Sequence, residues 1–180
     1  MNLLFKFVPD MSSPSSLKYL SAYAPSVQQQ VQQLIDQDRL GDFLLKKYPS
    51  AHDVVSDGAL RDYVMAMKNQ FMRKSAPLSK VVYDNKIHVV NHALGLHTYK
   101  SQVQGGKLKS KNEIRISTLF KKSPEPLLNM ITVHELAHLK EKGHNKAFYN
   151  LCEHMLPDYH QLEFEARLYL TQIEFSGAIY

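Results

Sequence analysis

A single cysteine, Cys152, stands among the 180 residues, so no intrachain disulfide can form and an apolar core must hold the fold. No apolar run approaches the eighteen or so residues that a membrane helix needs. The N-terminal MNLLFKFV is short and broken by Lys6, which disqualifies it as a secretory h-region. These absences predict a soluble protein of a reducing compartment, the cytoplasm. Glycine is sparse, with seven residues, and Gly105-Gly106-Lys107 is too short for a phosphate-cradling loop. Acidic residues are scarce in one segment. Residues 73–122 hold eleven Lys or Arg against Asp84 and Glu113, a net of +9 in a chain of net +5.

With 44% hydrophobic residues, the chain has material for one core. The expected class is α+β. Residues 1–16 read as a flexible lead-in, with Met11 a second candidate start, and 17–180 as one domain. Helices are expected over 17–78, a mainly antiparallel twisted sheet over 79–122, and three helices over 123–180. Val27, Val31, Leu34 and Ile35 form a helical stripe opposite a Gln-rich face, and Ser56 precedes a second stripe of Leu60, Val64, Met67 and Phe71. Gly41 and Pro49 read as punctuation. Lys80–Tyr83 and Ile87–Val90 flank Asp84-Asn85-Lys86 like a hairpin. Thr98–Lys109 and Glu113–Phe120 read as further strands, the latter a candidate edge for an extended substrate.

The densest chemistry is His134-Glu135-Leu136-Ala137-His138, with His144 six residues on. Helix positions four apart lie about 40° apart around the axis and roughly 6 Å along it. His134 and His138 can therefore aim two imidazoles at one metal ion. Glu135 projects to the side, placed to reach a water on that ion, and His144 can return a third nitrogen beyond the helix. Three protein donors with a position left open is the pattern of catalytic zinc, whereas structural zinc is closed by four. The surrounding LLNMITVHELAHL is apolar around the whole circumference, which predicts a buried helix. A carboxylate and two imidazoles inside it need partners, and an ion with its water supplies them. The competing explanation is a set of core histidines held by carbonyls, with Glu135 in a salt bridge.

Ser123, Pro124 and Glu125 read as the start of this helix, and Gly143 as a left-handed stop. A second helix is expected from Asn145 to Leu156 and a third from Tyr159 to Ile173. Metzincins place a glycine where Glu141 stands, so the turn to His144 must be built differently. Glu153, Glu163 and Glu165 are alternative third donors. His154, His160, Tyr149 and Tyr159 are candidate stabilisers of a developing anion, with nothing in the sequence to choose among them. His52, His88, His92 and His97 read as packing or surface residues, and Cys152 as a packing residue.

The stretch TVHELAHLKEKGHNKAFYNLCEHMLPDY, residues 132–159, resembles the YgjP-like metallopeptidase family, whose members show HELxHLxxxxHxxxF before a Pro-Asp-Tyr-like element. A looser similarity runs from near Gln33 to the end. The resemblance implies a small zincin domain in which His134, His138 and His144 hold one zinc ion and Glu135 is the base. The histidine spacing is also similar to that of WLM proteases, linked to removal of proteins crosslinked to DNA. Some family members are described as UTP pyrophosphatases instead. The expected activity is therefore that of a zinc-dependent hydrolase acting metallopeptidase-like on a peptide or protein, with a nucleoside triphosphate pyrophosphatase as the alternative, and with no membrane partner. The basic segment 73–122 is a candidate contact for phosphates or nucleic acid, and its bland alternative is a strand face charged against aggregation. A third possibility is a nucleic-acid-binding protein with a structural zinc.

Overall fold

A computed structural model of the chain describes residues 17–87, 95–104 and 107–180, with 95–104 and 107–111 described by backbone alone. The described elements run α1 (Pro25–Asp36), α2 (Leu40–Lys47), α3 (Asp57–Phe71), β1 (Leu78–Asp84), β2 (Gly95–Gln104), β3 (Lys107–Ser117), α4 (Glu125–Ala137), α5 (Lys146–Met155) and α6 (Tyr159–Ser176). The class is α+β. No helix among the described residues is long and apolar enough to cross a membrane.

The helices follow from local chemistry. α1 begins with Pro25, whose fixed φ suits a first helical position and whose missing N–H costs nothing there. The Ser56 hydroxyl caps α3, accepting from the Ala59 N–H at 3.1 Å. α2 is a helix that sequence patterning passes over. It is eight residues long, with Leu40 and Leu44 buried one turn apart. Gly41 is a packing residue within it, because an added Cβ would lie 3.3 Å from Ile179 and 3.4 Å from Gln172. At the end of α2, the buried Glu165 of α6 accepts from Lys47, Tyr48 and Gln161. That network ties the N-terminal helices to the C-terminal one.

The sheet departs from the expected antiparallel arrangement. Its strand order is β1-β3-β2. β1 runs parallel to β3, with Lys80 opposite Glu113 and Asp84 opposite Ser117. β2 runs antiparallel to β3, from Gly95 opposite Ile116 to Gln104 opposite Lys107. The reason is non-local: β3 pairs with β2 and also lies beside β1, where its Ile114 and Ile116 join the core. Residues 112–116 are therefore paired on both sides, with β1 and with β2, and this stretch cannot be a substrate edge. Thr118 and Phe120 leave the strand for a 3-10 turn over Thr118–Lys122. On β1, the Tyr83 N–H is taken by the Asp57 carboxylate at 2.9 Å. The second arm of the expected 80–90 hairpin runs from residue 88 outside the described residues.

The start of α4 is also built differently. Pro124, not Ser123, is its capping residue, and the Ser123 hydroxyl donates to the Phe120 carbonyl at 3.0 Å. The α4 body is buried on every face, as its sequence predicts. Leu127, Leu128, Met130, Ile131, Val133 and Leu136 have no exposed surface. Each such side chain contributes roughly 1.5–3 kcal/mol on burial, so the helix that carries His134 is a fixed rod.

Candidate metal centre

α4 ends at Ala137, earlier than expected, and His138 is its C-terminal cap. The next turn is tight: the Lys140 and Glu141 N–H groups both donate to the Ala137 carbonyl at 3.0 Å. Gly143 does not adopt a left-handed conformation; among the described glycines only Gly177 has a positive φ. The reversal is made instead by Asn145. Its amide nitrogen donates to the Glu141 carboxylate at 3.3 Å, while its amide oxygen caps α5 by accepting from the Phe148 N–H at 2.9 Å. His144, immediately before that cap, is swung back over α4.

The three histidines meet. His134 Nε2 lies 3.3 Å from His138 Nε2 and 3.1 Å from His144 Nε2. One nitrogen from each falls within 4.8 Å of the others. Two nitrogens bound tetrahedrally at ordinary zinc–nitrogen lengths sit roughly 3.3–3.4 Å apart, so the observed spacing is that of a shared ion. The outer nitrogens are anchored. His138 Nδ1 contacts the Glu141 carbonyl at 2.9 Å; a carbonyl only accepts, so Nδ1 carries the proton and Nε2 presents a lone pair. His134 Nδ1 is 2.6 Å from the Tyr159 hydroxyl. A divalent cation placed between the three facing nitrogens would be shared by all of them. The donor set fits a metal ion.

Burial tunes the same groups. His134 is buried, His138 half-buried and His144 exposed. Desolvation lowers the pKa of all three, most strongly for His134, where the neighbouring imidazoles add to it. Neutral imidazole is the form that binds metal. The Phe148 ring packs against all three at centroid distances of 5.0, 4.6 and 4.8 Å, an apolar floor under the cluster. Glu135 is buried, and its Oε2 has no partner among the described residues. Burial pushes its pKa from 4.5 up to about 8. That orphaned oxygen one residue from His134 excludes the alternative of a salt-bridged structural carboxylate.

The other candidates sort by contact. Tyr159 is the one drawn against the cluster, through His134. Its phenol pKa is raised by burial. Glu163 pairs with Arg167 at 2.7 Å, Glu153 with His160 at 3.4 Å, and Glu165 belongs to the Lys47 network; none joins the cluster. Tyr149 packs near His144 at 6.4 Å between ring centroids, and His154 packs edge-on against Phe71. His52 is a packing residue as expected, its Nε2 2.8 Å from the Phe120 carbonyl and its Nδ1 accepting from the Val54 N–H. Cys152 is buried, and burial pushes its thiol up to about 12. His88 and His92 lie outside the described residues, as does the side chain of His97. Phe148 closes the HxxxF of the family pattern, but its place against the histidines is not read from the sequence, because its spacing fits an ordinary core position equally well. Two cavities of about 480 and 360 Å³ have no cluster residue in their linings, the larger beside His52 and the start of α4 and the smaller reaching Lys140 just beyond His138.

Comparison with known proteins agrees with this geometry. The profile of the YgjP-like metallopeptidase domain matches residues 70–166, from the end of α3 into α6. The chain is 60% identical over 159 residues to a protein of Escherichia coli (strain K12) named UTP pyrophosphatase, a match covering 88% of this chain and 95% of that protein. No solved structure matches. A histidine cluster spaced for one ion, with a buried carboxylate beside it, stands within a domain match spanning more than half the chain; the protein belongs to the YgjP-like family of metal-dependent hydrolases.

Proposed function

We propose that this chain is a metal-dependent nucleoside triphosphate pyrophosphatase, with UTP its first candidate substrate. The observation that carries the substrate is the 60% identity across nearly the whole length of a protein named UTP pyrophosphatase. His134, His138 and His144 would hold one divalent ion, zinc by the preference of a three-imidazole set, and Glu135 would be the general base. A bound ion of this kind supplies Lewis-acid polarisation of phosphoryl oxygen and lowers the pKa of water toward neutrality.

The protein's own groups carry the remainder. Glu135 accepts a proton from the attacking water through its unpartnered oxygen and returns it to the leaving group. Burial makes the carboxylate a stronger base, and the field of a bound cation would keep it ionised so that it can take the proton. Water adds to the α-phosphorus, the bond from that phosphorus to the bridging oxygen breaks, and pyrophosphate departs with that oxygen. Tyr159 fixes the ring of His134, the Glu141 carbonyl fixes that of His138, and Phe148 keeps water from the rear of the cluster.

A metallopeptidase on the same residues is the second reading, favoured by the description of the matching domain. The candidate substrate edge at 113–120 does not support it, because 113–116 are paired with strands on both sides and 118–120 lie in a 3-10 turn. A purely structural zinc would leave Glu135 buried without a task. The test is pyrophosphate release from a panel of nucleoside triphosphates by metal-loaded protein, alongside Glu135→Ala. Turnover of UTP that is lost in the variant is expected. Absence of turnover on every nucleotide, with cleavage of a peptide library, would move the assignment to the peptidase.

A further inference from the structure

The smaller cavity, about 360 Å³, opens between the C-terminal end of α3 and the turn that follows α4. Arg73, Lys74 and Lys140 line it, together with the Asn69 and Gln70 amides and Ser75, and none of its lining residues is acidic. Among the described residues, none of these three cations enters an ion pair. A fourth cation lies beneath. Lys68 is 4% exposed, and its ammonium donates to the carbonyl of the cavity-lining Ser75 at 3.3 Å. It has no carboxylate partner among the described residues.

A buried ammonium without a counter-charge is costly. Its position in the last turn of α3 offsets part of that cost through the helix dipole. Three further cations around one cavity raise its positive potential, which a bound anion would offset. The volume is at the lower end of the range for small-ligand pockets, suited to a compact anion and not to a strand of nucleic acid tracking along a groove. Amide and ammonium donors with no acidic group describe a phosphate receptor.

We infer that this cavity binds the phosphate groups of a polyphosphate anion, free pyrophosphate or the polyphosphate end of a nucleotide. Lys140 lies two residues beyond His138, so the cavity adjoins the end of the helix that carries the site. The inference rests on the proposed nucleotide activity for the source of the anion, but not for the existence of the receptor.

Calorimetric titration of inorganic pyrophosphate into metal-loaded full-length protein tests it, in wild type and in Arg73→Ala, Lys74→Ala and Lys140→Ala. These side chains are exposed, so the variants should keep the wild-type fold. Each loss of a charge-assisted hydrogen bond should weaken pyrophosphate binding by about tenfold or more. In turnover, KM for UTP should rise with kcat little changed. Weaker binding of pyrophosphate but not of UTP would make the receptor one for the free anion. Pyrophosphate affinity within twofold of wild type in all three variants and in their combination would overturn the inference. So would variants that lose affinity for a single-stranded oligonucleotide while binding pyrophosphate normally, which would make the face a nucleic-acid contact. Failure of the two readings is separable: weakened pyrophosphate binding without UTP turnover leaves the receptor standing and removes the activity, and the reverse pattern removes the receptor alone.

Discussion

Burial of Glu135 should leave a pH signature in the stability of chelator-treated protein. Its carboxyl titrates near 4.5 when exposed and at about 8 inside α4. Between those values the folded chain holds a proton that the unfolded chain has released. A raised folded pKa means that stability is complete below about pH 4.5, falls as pH rises, and stops falling above about 8. One proton corresponds to about 1.4 kcal/mol per pH unit, so the whole window is worth on the order of 5 kcal/mol. The three histidines act in the opposite sense. Their folded pKa values are lowered, so their contribution is present at high pH and is lost as pH falls below about 6.5.

Comparison with Glu135→Gln isolates the carboxyl, since glutamine does not titrate and the histidines are common to both proteins. Urea unfolding should be followed by circular dichroism at pH 5, 6, 7 and 8, because the chain has no Trp to report by fluorescence. The unfolding free energies should diverge by about 1.4 kcal/mol per pH unit in favour of the variant. A constant offset from the glutamine amide does not affect that slope. In metal-loaded protein the cation's field holds the carboxylate ionised, and the divergence should flatten. A difference that stays constant from pH 5 to 8 in chelated protein would refute the desolvation argument.

Other perturbations separate the remaining roles. His144→Ala removes an exposed imidazole, so unfolding free energy without metal should change by less than about 0.5 kcal/mol, while zinc affinity measured against a competing chelator should fall more than about a hundredfold. Unchanged zinc affinity would exclude His144 as a donor. Tyr159→Phe removes the hydroxyl 2.6 Å from His134 Nδ1; zinc affinity should fall about 10–100-fold, and wild-type affinity would show that the contact does not orient the ring. Gly143→Ala should be tolerated, because φ is not positive there and an added Cβ meets nothing within 4 Å. The expected gain in thermal-melt stability is about 0.4–1 kcal/mol from a less flexible unfolded chain, and a loss of similar size would contradict the turn geometry.

The meeting of the three histidines was more legible than the scaffold, for a physical reason. His134, Glu135 and His138 are fixed relative to one another by helical period alone, and His144 is six residues away, so local geometry nearly suffices. β3 shows the contrary case. The alternation of Ile114 and Ile116 correctly marks a strand, but which strands flank it depends on residues more than thirty positions away, and an internal strand and an edge strand can share one pattern. α2 escaped because its glycine, read as a break, is required by contact with Gln172 and Ile179 near the C-terminus. Gly143 misled in the opposite way: glycine after a helix suggests a left-handed stop, yet the Asn145 side chain supplies the turn.

The choice of third donor shows where local reading runs out. His144, Glu153, Glu163 and Glu165 all lie downstream of the motif, and spacing alone only ranks them. Each carboxylate has a counter-group that sequence does not reveal as such: His160 for Glu153, Arg167 for Glu163, and Lys47 with Tyr48 for Glu165. Moving any of them onto a metal would strip a charge or hydroxyl of its partner, at a cost of about 1–3 kcal/mol where the group left behind is buried. His144 gives up nothing comparable, because its Nε2 already faces His134 at 3.1 Å. A donor is selected as much by what the alternatives are already holding as by its own position in the chain.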